Sequence, residues 1–355
     1  MHKRKRTRKI DVGDVSLGGK SPIRVQSMTK TDTTDVKATV EQIRRLELAG
    51  CEMVRVAVPD EDAVSVLGEI KRSIHIPLIA DVHFKHSLAL NALDQGVDKI
   101  RINPGNIGSR DRIRLIVEKA RDKNVPIRVG VNAGSLESGI LAYYGGPTAE
   151  ALAESALVHT TYLEDIGFNN IVVSIKSSDI GTAVRAYEIY ANKFHYPLHV
   201  GITAAGTLLP GSIRSSVGIG IMLSEGLGDT IRVSLTSDPV DEVRVAYEIL
   251  RSLGLRQRGP MILACPTCGR CEIDVIQLAE NVQKRLESVE TPLKIAVMGC
   301  VVNGPGEARE ADVGVAGGKG EGVVFVSGKP VKKVPELSLL DALIEQVQKM
   351  GDRSI

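Results

Sequence analysis

Short β-branched runs alternate with helix-periodic segments along the first 253 residues of the chain. The runs are PIRVQSM (22–28), EMVRVAV (52–58), IPLIADV (76–82), KIRINP (99–104), PIRVGVN (126–132), NIVVSIK (170–176), PLHVGIT (197–203) and TIRVSLT (230–236). Between them, segments such as 36–49, 110–123, 149–166 and 239–253 carry apolar residues at the spacing of a helix that buries one face. Two of these have clear starts: Thr148 precedes AEALAESAL, and Ser237 and Asp238 precede Pro239. Eight strands, each followed by a helix, in about 250 residues predict an α/β fold, a parallel (β/α)8 TIM-type barrel. A doubly wound open sheet is the alternative. The even strand count and the lack of a G-x-G-x-x-G after the first strand disfavour it.

After residue 253 the alternation stops. The reading is a barrel over 1–253, a connector, GLRQRGPMILA, over 254–264, and a small α/β domain over 265–355. That domain is expected to hold a helix over about 273–288, a buried strand at 294–299, strands near 312–316 and 322–327, and a last amphipathic helix over 337–350.

Composition narrows the function classes. Hydrophobic content of 43% and charged content of 25% are ordinary for a globular protein. Aromatic residues make up 3% and Trp is absent, so base-stacking platforms are not expected. A net charge of +2 predicts no global attraction to nucleic acid or to a membrane, and no apolar run approaches the roughly 20 residues of a bilayer span. The N-terminal MHKRKRTRK lacks the apolar region of a secretory signal and reads as a solvated tail. Clustered cysteines without secretion fit a reducing, cytoplasmic compartment.

The strands are unusually polar. Arg55, Arg101, Arg128 and Arg232 lie inside otherwise apolar runs, and Lys176 ends another. Side chains on a strand alternate faces, and a cation turned to the helix layer would be buried without a partner. Polar residues recur with the same parity: Asp81 with His83, Arg101 with Asn103, Arg128 with Asn132, and Arg232 with Ser234. That places them on the inner face, towards the C-terminal mouth where barrel active sites form. Five cations and one obvious strand-borne acid, Asp81, point to a polyanionic substrate, most simply a diphosphate. Beside Asp81, His83 is a candidate substrate contact or proton carrier. His75, His86, His159, His195 and His199 lack such company and read as structural, and Cys51 as a small buried hydrophobe. NPGNIGS and GGKGEG lack the lysine of a P-loop and read as turns.

Four of the five cysteines fall within 36 residues: Cys265, Cys268 and Cys271 in CPTCGRCEIDV, and Cys300 in MGCVVNGPGE. Thiolates spaced this way can wrap one soft metal centre. The spacing is compatible with zinc and with iron–sulfur, and it does not fix whether all four are ligands. A barrel lyase with a zinc knob and a zinc-stabilised nucleic-acid binder are the competing classes. The connector bears on geometry. The eighth helix ends at the bottom of the barrel, and eleven extended residues reach at most ~36–40 Å. The cysteine domain is therefore not expected to cover its own barrel's mouth. A closed twofold pairing would set the cluster of one chain over the barrel of another.

The runs VQSMTKTDT, IADVHF, KIRINPGNIG, RVGVNAGSL, GDTIRVSLT, CPTCGRCEIDV and GCVVNGPGE resemble the bacterial 4-hydroxy-3-methylbut-2-enyl diphosphate synthases over essentially the whole chain. The resemblance implies reductive ring opening of 2-C-methyl-D-erythritol 2,4-cyclodiphosphate, with loss of water, on a [4Fe–4S] cluster. It also implies electrons from flavodoxin or ferredoxin and a homodimer with the site formed between chains. Carried over by position, Arg55, Arg101, Arg128, Lys176 and Arg232 match the diphosphate-binding cations. Asp81, His83, Asn103, Asn132 and Ser234 match polar contacts in the mouth, and Asn303 a contact from the cluster side. Cys265, Cys268, Cys300 and Glu307 match the cluster ligands, and Cys271 matches none. One position departs: the family reads GITEAG where this chain reads GITAAG, with Ala204 in place of a glutamate suited to proton delivery. That substitution predicts a chain that binds substrate and turns it over poorly.

Overall fold

The computed structural model describes residues 2–287, 289–300, 306 and 309–351. The chain divides into two compact units, Met1–Arg256 and Gln257–Ile355. Among the described residues no helix is long and apolar enough to cross a membrane.

The first unit opens with an antiparallel hairpin, β1 (Ile10–Val12) and β2 (Val15–Leu17), turning at Gly13, whose φ is +57°. Eight parallel strands follow: β3 (Arg24–Met28), β4 (Met53–Val58), β5 (Leu78–Val82), β6 (Lys99–Ile102), β7 (Ile127–Asn132), β8 (Ile171–Lys176), β9 (His199–Val200) and β10 (Thr230–Ile231). They run in the order β8-β7-β6-β5-β4-β3-β10-β9. The ring closes where Val173 of β8 bridges Leu198 in parallel and its amide donates to Pro197 O at 2.9 Å. This is the TIM-type barrel that the alternation predicts.

Burial of one apolar face on each helix supplies the outer half of the core. In Pro239–Ser252, for example, Asp238 accepts from Val240 N at 2.9 Å and Pro239 takes the first turn, while Val243, Ala246, Ile249 and Leu250 are buried. The last two barrel strands are shorter than the seven-residue runs that encode them. A Cβ on Gly201 would meet Arg232 O at 2.3 Å, so the chains close on each other just beyond the ladder. The N-terminal hairpin was not anticipated. Its Ile10, Val12 and Leu17 pack on Met53, Ile79 and Val172, the lowest inner side chains of their strands, and form an apolar floor.

The second unit is a five-stranded sheet ordered β11 (Met261–Ala264), β12 (Lys294–Met298), β13 (Val313–Gly318), β14 (Glu321–Val326) and β15 (Lys329–Pro335). Its first three strands are parallel and the rest antiparallel. Helices Val275–Arg285 and Leu339–Gly351 supply Val282, Leu339 and Leu343 to a core with Ile295, Val297, Val313, Val315 and Val324. Two corrections to the sequence reading stand out. Residues 261–264, expected within the connector, pair with β12 as an edge strand, and β15 is an added strand with no counterpart in the reading.

Candidate active site

The barrel's inner face carries the chemistry. Register pairs Ile79 with Lys99, Asp81 with Arg101, Arg101 with Arg128, and Asn132 with Lys176, so these side chains rise towards the mouth in successive levels. Arg55, Lys99, Arg101, Arg128 and Lys176 are all buried, and the Arg232 side chain is 13% exposed. Among the described residues two acids face these six cations, Glu242 buried and Asp81 nearly so. Asp81 accepts from Arg101 Nη1 at 3.0 Å, and its Oδ2 lies 3.6 Å from Arg55 Nε. Glu242, from the first turn of the helix after β10, lies 3.5 Å from Arg232 Nη2, accepts from Ser27 Oγ at 2.9 Å, and pairs with Lys30 at 3.3 Å.

Positive charge therefore exceeds negative within the barrel, and ionisation responds. Burial opposes the Asp81 carboxylate, yet Arg55, Arg101 and Arg128 outweigh it and hold the group well below the ordinary range. Burial draws Arg55 down to about 10, with Asp81 resisting. Burial first, and the neighbouring arginines second, push Lys99 and Lys176 well below the usual lysine range. Arg128 is 1% exposed, and its Nε and Nη1 have no hydrogen-bond partner among the described residues. An unpaired buried guanidinium is costly, and an anion beside it would offset that cost.

Glycine clears the space these cations occupy. A Cβ on Gly130 would lie 2.4 Å from Arg101 Nε. The Asn132 amide, oriented by the groups around it, accepts from Arg101 Nη2 at 2.8 Å and donates to Val131 O at 3.2 Å. His83 Nε2 faces Arg101 Nη1, so Nε2 is the acceptor and the ring proton sits on Nδ1. Burial and Arg101 lower its pKa, which keeps the imidazole neutral at pH 7. Asn103 is buried with both ends of its amide engaged: Oδ1 accepts from Gly105 N at 3.2 Å and Nδ2 donates to Ser135 Oγ at 3.0 Å. Ser234 is half-buried two residues after Arg232. Ala204 is exposed just beyond β9, in the left-handed region at φ +51°.

Three inner-face residues escaped the sequence reading. Lys99 lies two residues before Arg101 on the same face, so the parity that identified Asn103 also reaches it. His199, read as structural, is 0% exposed, and neither ring nitrogen has a partner among the described residues. Glu242 comes from a helix and carried no strand signal.

In the second unit, β11 and β12 are parallel neighbours with Ala264 opposite Val297. Cys265 N donates to Val297 O at 2.9 Å, and Cys300 lies two residues past the end of β12, so both cysteines leave the carboxyl ends of adjacent strands. The intervening turn is tied to the same place: Cys271 N donates to Cys268 O and Glu272 N to Gly299 O, each at 2.9 Å. Cys268 is exposed, whereas the Cys271 thiol donates to Ile273 O at 3.2 Å and packs where a Cβ on Gly299 would clash at 2.3 Å. Thiols gathered at strand ends suit a soft metal centre. Among the described residues no three of His, Cys, Asp and Glu already converge as a metal group. The two remaining candidates, Asn303 and Glu307, lie outside the described residues. Cys51 is buried in the barrel's core, where its thiol is pushed up to about 12 by burial, as a small hydrophobe requires.

Comparison with known proteins adds a family. Residues 7–247 match the family model described as the GcpE TIM-barrel domain, and residues 261–349 that of the GcpE protein C-terminal domain. A protein of Thermodesulfovibrio yellowstonii is 56% identical over 349 residues, covering 98% of this chain and 100% of the relative. One of Geobacter sulfurreducens is 57% identical over 345 residues, covering 97% and 98%. Both are named 4-hydroxy-3-methylbut-2-en-1-yl diphosphate synthase (flavodoxin). Among solved structures, dihydropteroate synthase from Stenotrophomonas maltophilia aligns with a TM-score of 0.51 at 13% identity. The alignment covers 70% of this chain and 98% of that one, a likeness of fold alone.

Proposed function

This chain belongs to the GcpE family, and we propose that it acts as a 4-hydroxy-3-methylbut-2-en-1-yl diphosphate synthase. The reaction opens the ring of 2-C-methyl-D-erythritol 2,4-cyclodiphosphate: two electrons and two protons enter, and one water leaves. The observation that carries the reading is the set of inner-face cations, six against two acids, in a barrel whose relatives bear a diphosphate in their names. Arg55, Arg101, Arg128, Lys176 and Arg232 bind the diphosphate and fix its orientation. Asp81, His83, Asn103, Asn132 and Ser234 either touch the substrate or hold those cations in place. His83, neutral with its proton on Nδ1, orients the substrate through that donor.

Cys265, Cys268, Cys300 and Glu307 would hold a [4Fe–4S] cluster, which when bound would supply one-electron transfer between flavodoxin or ferredoxin and the substrate. The described part of that set fits: two cysteines leave neighbouring strand ends, and a backbone-tied turn supplies the third. The Cys271 thiol is engaged within its own turn, which supports leaving it out of the ligand set. A carboxylate in the fourth position exchanges more readily than a thiolate. Asn303, matched by the resemblance alone, is carried into this reading as a substrate contact.

A twofold homodimer, with the cluster of one chain serving the barrel of its partner, is part of this reading. The cytoplasm is the fitting compartment, because the thiolates must stay reduced. Anaerobic purification, with iron and acid-labile sulfide measured alongside turnover by reduced flavodoxin, tests the proposal. A brown protein with about four of each per chain is expected; zinc without sulfide would overturn it.

A further inference from the structure

Lys99 has no role in the site as described. It sits on the inner face of β6, one level below Arg101, and is 0% exposed. Its Nζ approaches Met53 Sδ at 3.9 Å, and no acid pairs with it among the described residues. The apolar floor of Ile10, Val12 and Leu17 closes the barrel on the far side, packed on Met53 and Ile79. Arg55 from β4 and Arg128 from β7 are the charged groups that act on it most strongly. His199 from β9 also lies within its field, and Thr230 of β10 stands beside His199 in register.

The two acids are already committed. Asp81 serves Arg55 and Arg101, and Glu242 serves Arg232 and Lys30. An ammonium at Lys99 would be desolvated and would face only like charge, and both effects favour the neutral amine. On neighbouring strands, the His199 ring nitrogens, Thr230 Oγ1 and the Gln26 amide are buried with no hydrogen-bond partner among the described residues. None of them carries a negative charge.

We propose that Lys99 is a neutral amine in the free barrel and takes up a proton when a diphosphate binds above it. The inference rests on the diphosphate reading of the mouth. A ligand carrying two or more negative charges against Arg55, Arg101 and Arg128 offsets the like charge that these groups, net of Asp81, set on Lys99, and shifts it towards the ammonium. Burial and the arginines push Lys99 well below the lysine range in the unliganded barrel, and they act in the same direction on His199 and Lys176. Lys176 lies at the mouth, at the end of its strand, whereas Lys99 is sealed beneath the arginines. Binding therefore draws a proton into the interior and becomes weaker as pH rises.

The test is calorimetric titration of the full chain with inorganic pyrophosphate in two buffers of different ionisation heat. The wild type is compared with Lys99→Met and Lys99→Arg. Titration of pyrophosphate itself is common to all three and cancels in the difference. The wild type should take up about one proton more per ligand than either variant. Its affinity should also fall with pH by up to tenfold per unit relative to Lys99→Arg, which stays charged. Binding with equal proton uptake in wild type and Lys99→Arg would overturn the proposal, whether or not Lys99→Met folds. Absence of any pyrophosphate binding would remove the diphosphate reading itself, a separate outcome.

Discussion

Replacing Asp81 by Asn tests whether the barrel's charge imbalance is real. Asp81 is 10% exposed, with Oδ1 at 3.0 Å from Arg101 Nη1 and Oδ2 at 3.6 Å from Arg55 Nε. Removing one member of a buried ion pair costs about 3–5 kcal/mol, because the surviving charge is left unpaired. Arg101 keeps contacts to Gly130 O and Asn132, which argues for the lower end, about 3 kcal/mol. For a domain of this size that corresponds to a melting point lower by about 6–12 °C. The pH dependence has a definite sign. The folded-state pKa of Asp81 is depressed, so its contribution is complete above its unfolded value near 4 and is lost only as pH falls towards the lower folded value. Thermal unfolding of wild type and Asp81→Asn, followed by circular dichroism, should show a constant gap from pH 8 to 5 that narrows below pH 4. The variant also loses a negative charge beneath the anion site, so pyrophosphate should raise its melting point more than that of the wild type. A gap under about 2 °C, less than 1 kcal/mol, would refute the reasoning. So would a gap that vanishes between pH 8 and 5.

Cys300→Ser and Cys265→Ser should each lower iron and sulfide content in anaerobic preparations, while Cys271→Ser should keep both. Equal loss in Cys271→Ser would return that thiol to the ligand set. Leu17→Ala removes a fully buried side chain from the barrel floor and should destabilise the chain by about 2–5 kcal/mol in urea unfolding; a cost below 1 kcal/mol would mean that the hairpin does not seal the barrel. Ala204→Glu should raise turnover strongly with little change in substrate affinity, since the left-handed backbone at φ +51° already carries a Cβ in the parent. No gain would remove the missing-acid explanation.

The barrel was legible because eight buried strands must be written as apolar runs, and six of the eight runs form strands of nearly the expected length. The exceptions have local causes. Residues 10–17 form two three-residue strands, too short for any period to show. Residues 261–264 form a four-residue edge strand, indistinguishable in sequence from an apolar stretch of linker. At the site, parity succeeded wherever a charge interrupted an apolar run, as at Arg55, Arg101 and Arg128. It missed Lys99, which begins its run, where a lysine ordinarily marks a solvent-facing strand end. Glu242 was hidden for a related reason: an acid in the first turn of a helix reads as complementing the macrodipole, not as reaching the barrel interior.

These misses share a consequence. A TIM-type barrel is ordinarily filled by layers of branched apolar side chains. Here an apolar floor is formed by the hairpin with Met53, Ile79 and Val172, and Arg55, Lys99 and Arg128 stand beside Ile79 and Val172 in register. The hairpin is what makes that arrangement possible. The packed floor leaves the buried cations in an interior where their field is poorly screened. An anion arriving there gains more than it would at a surface cluster of equal charge. On the proposed function, the stability that the interior forgoes in the free protein would be recovered in part when the anion binds. A barrel with the same five cations at its mouth but an open floor would bind diphosphate less tightly and lose more of that affinity to salt. If the barrel takes a diphosphate as proposed, the unexpected hairpin and the overlooked Lys99 act together on its charge, and strand patterns alone do not reveal that pairing.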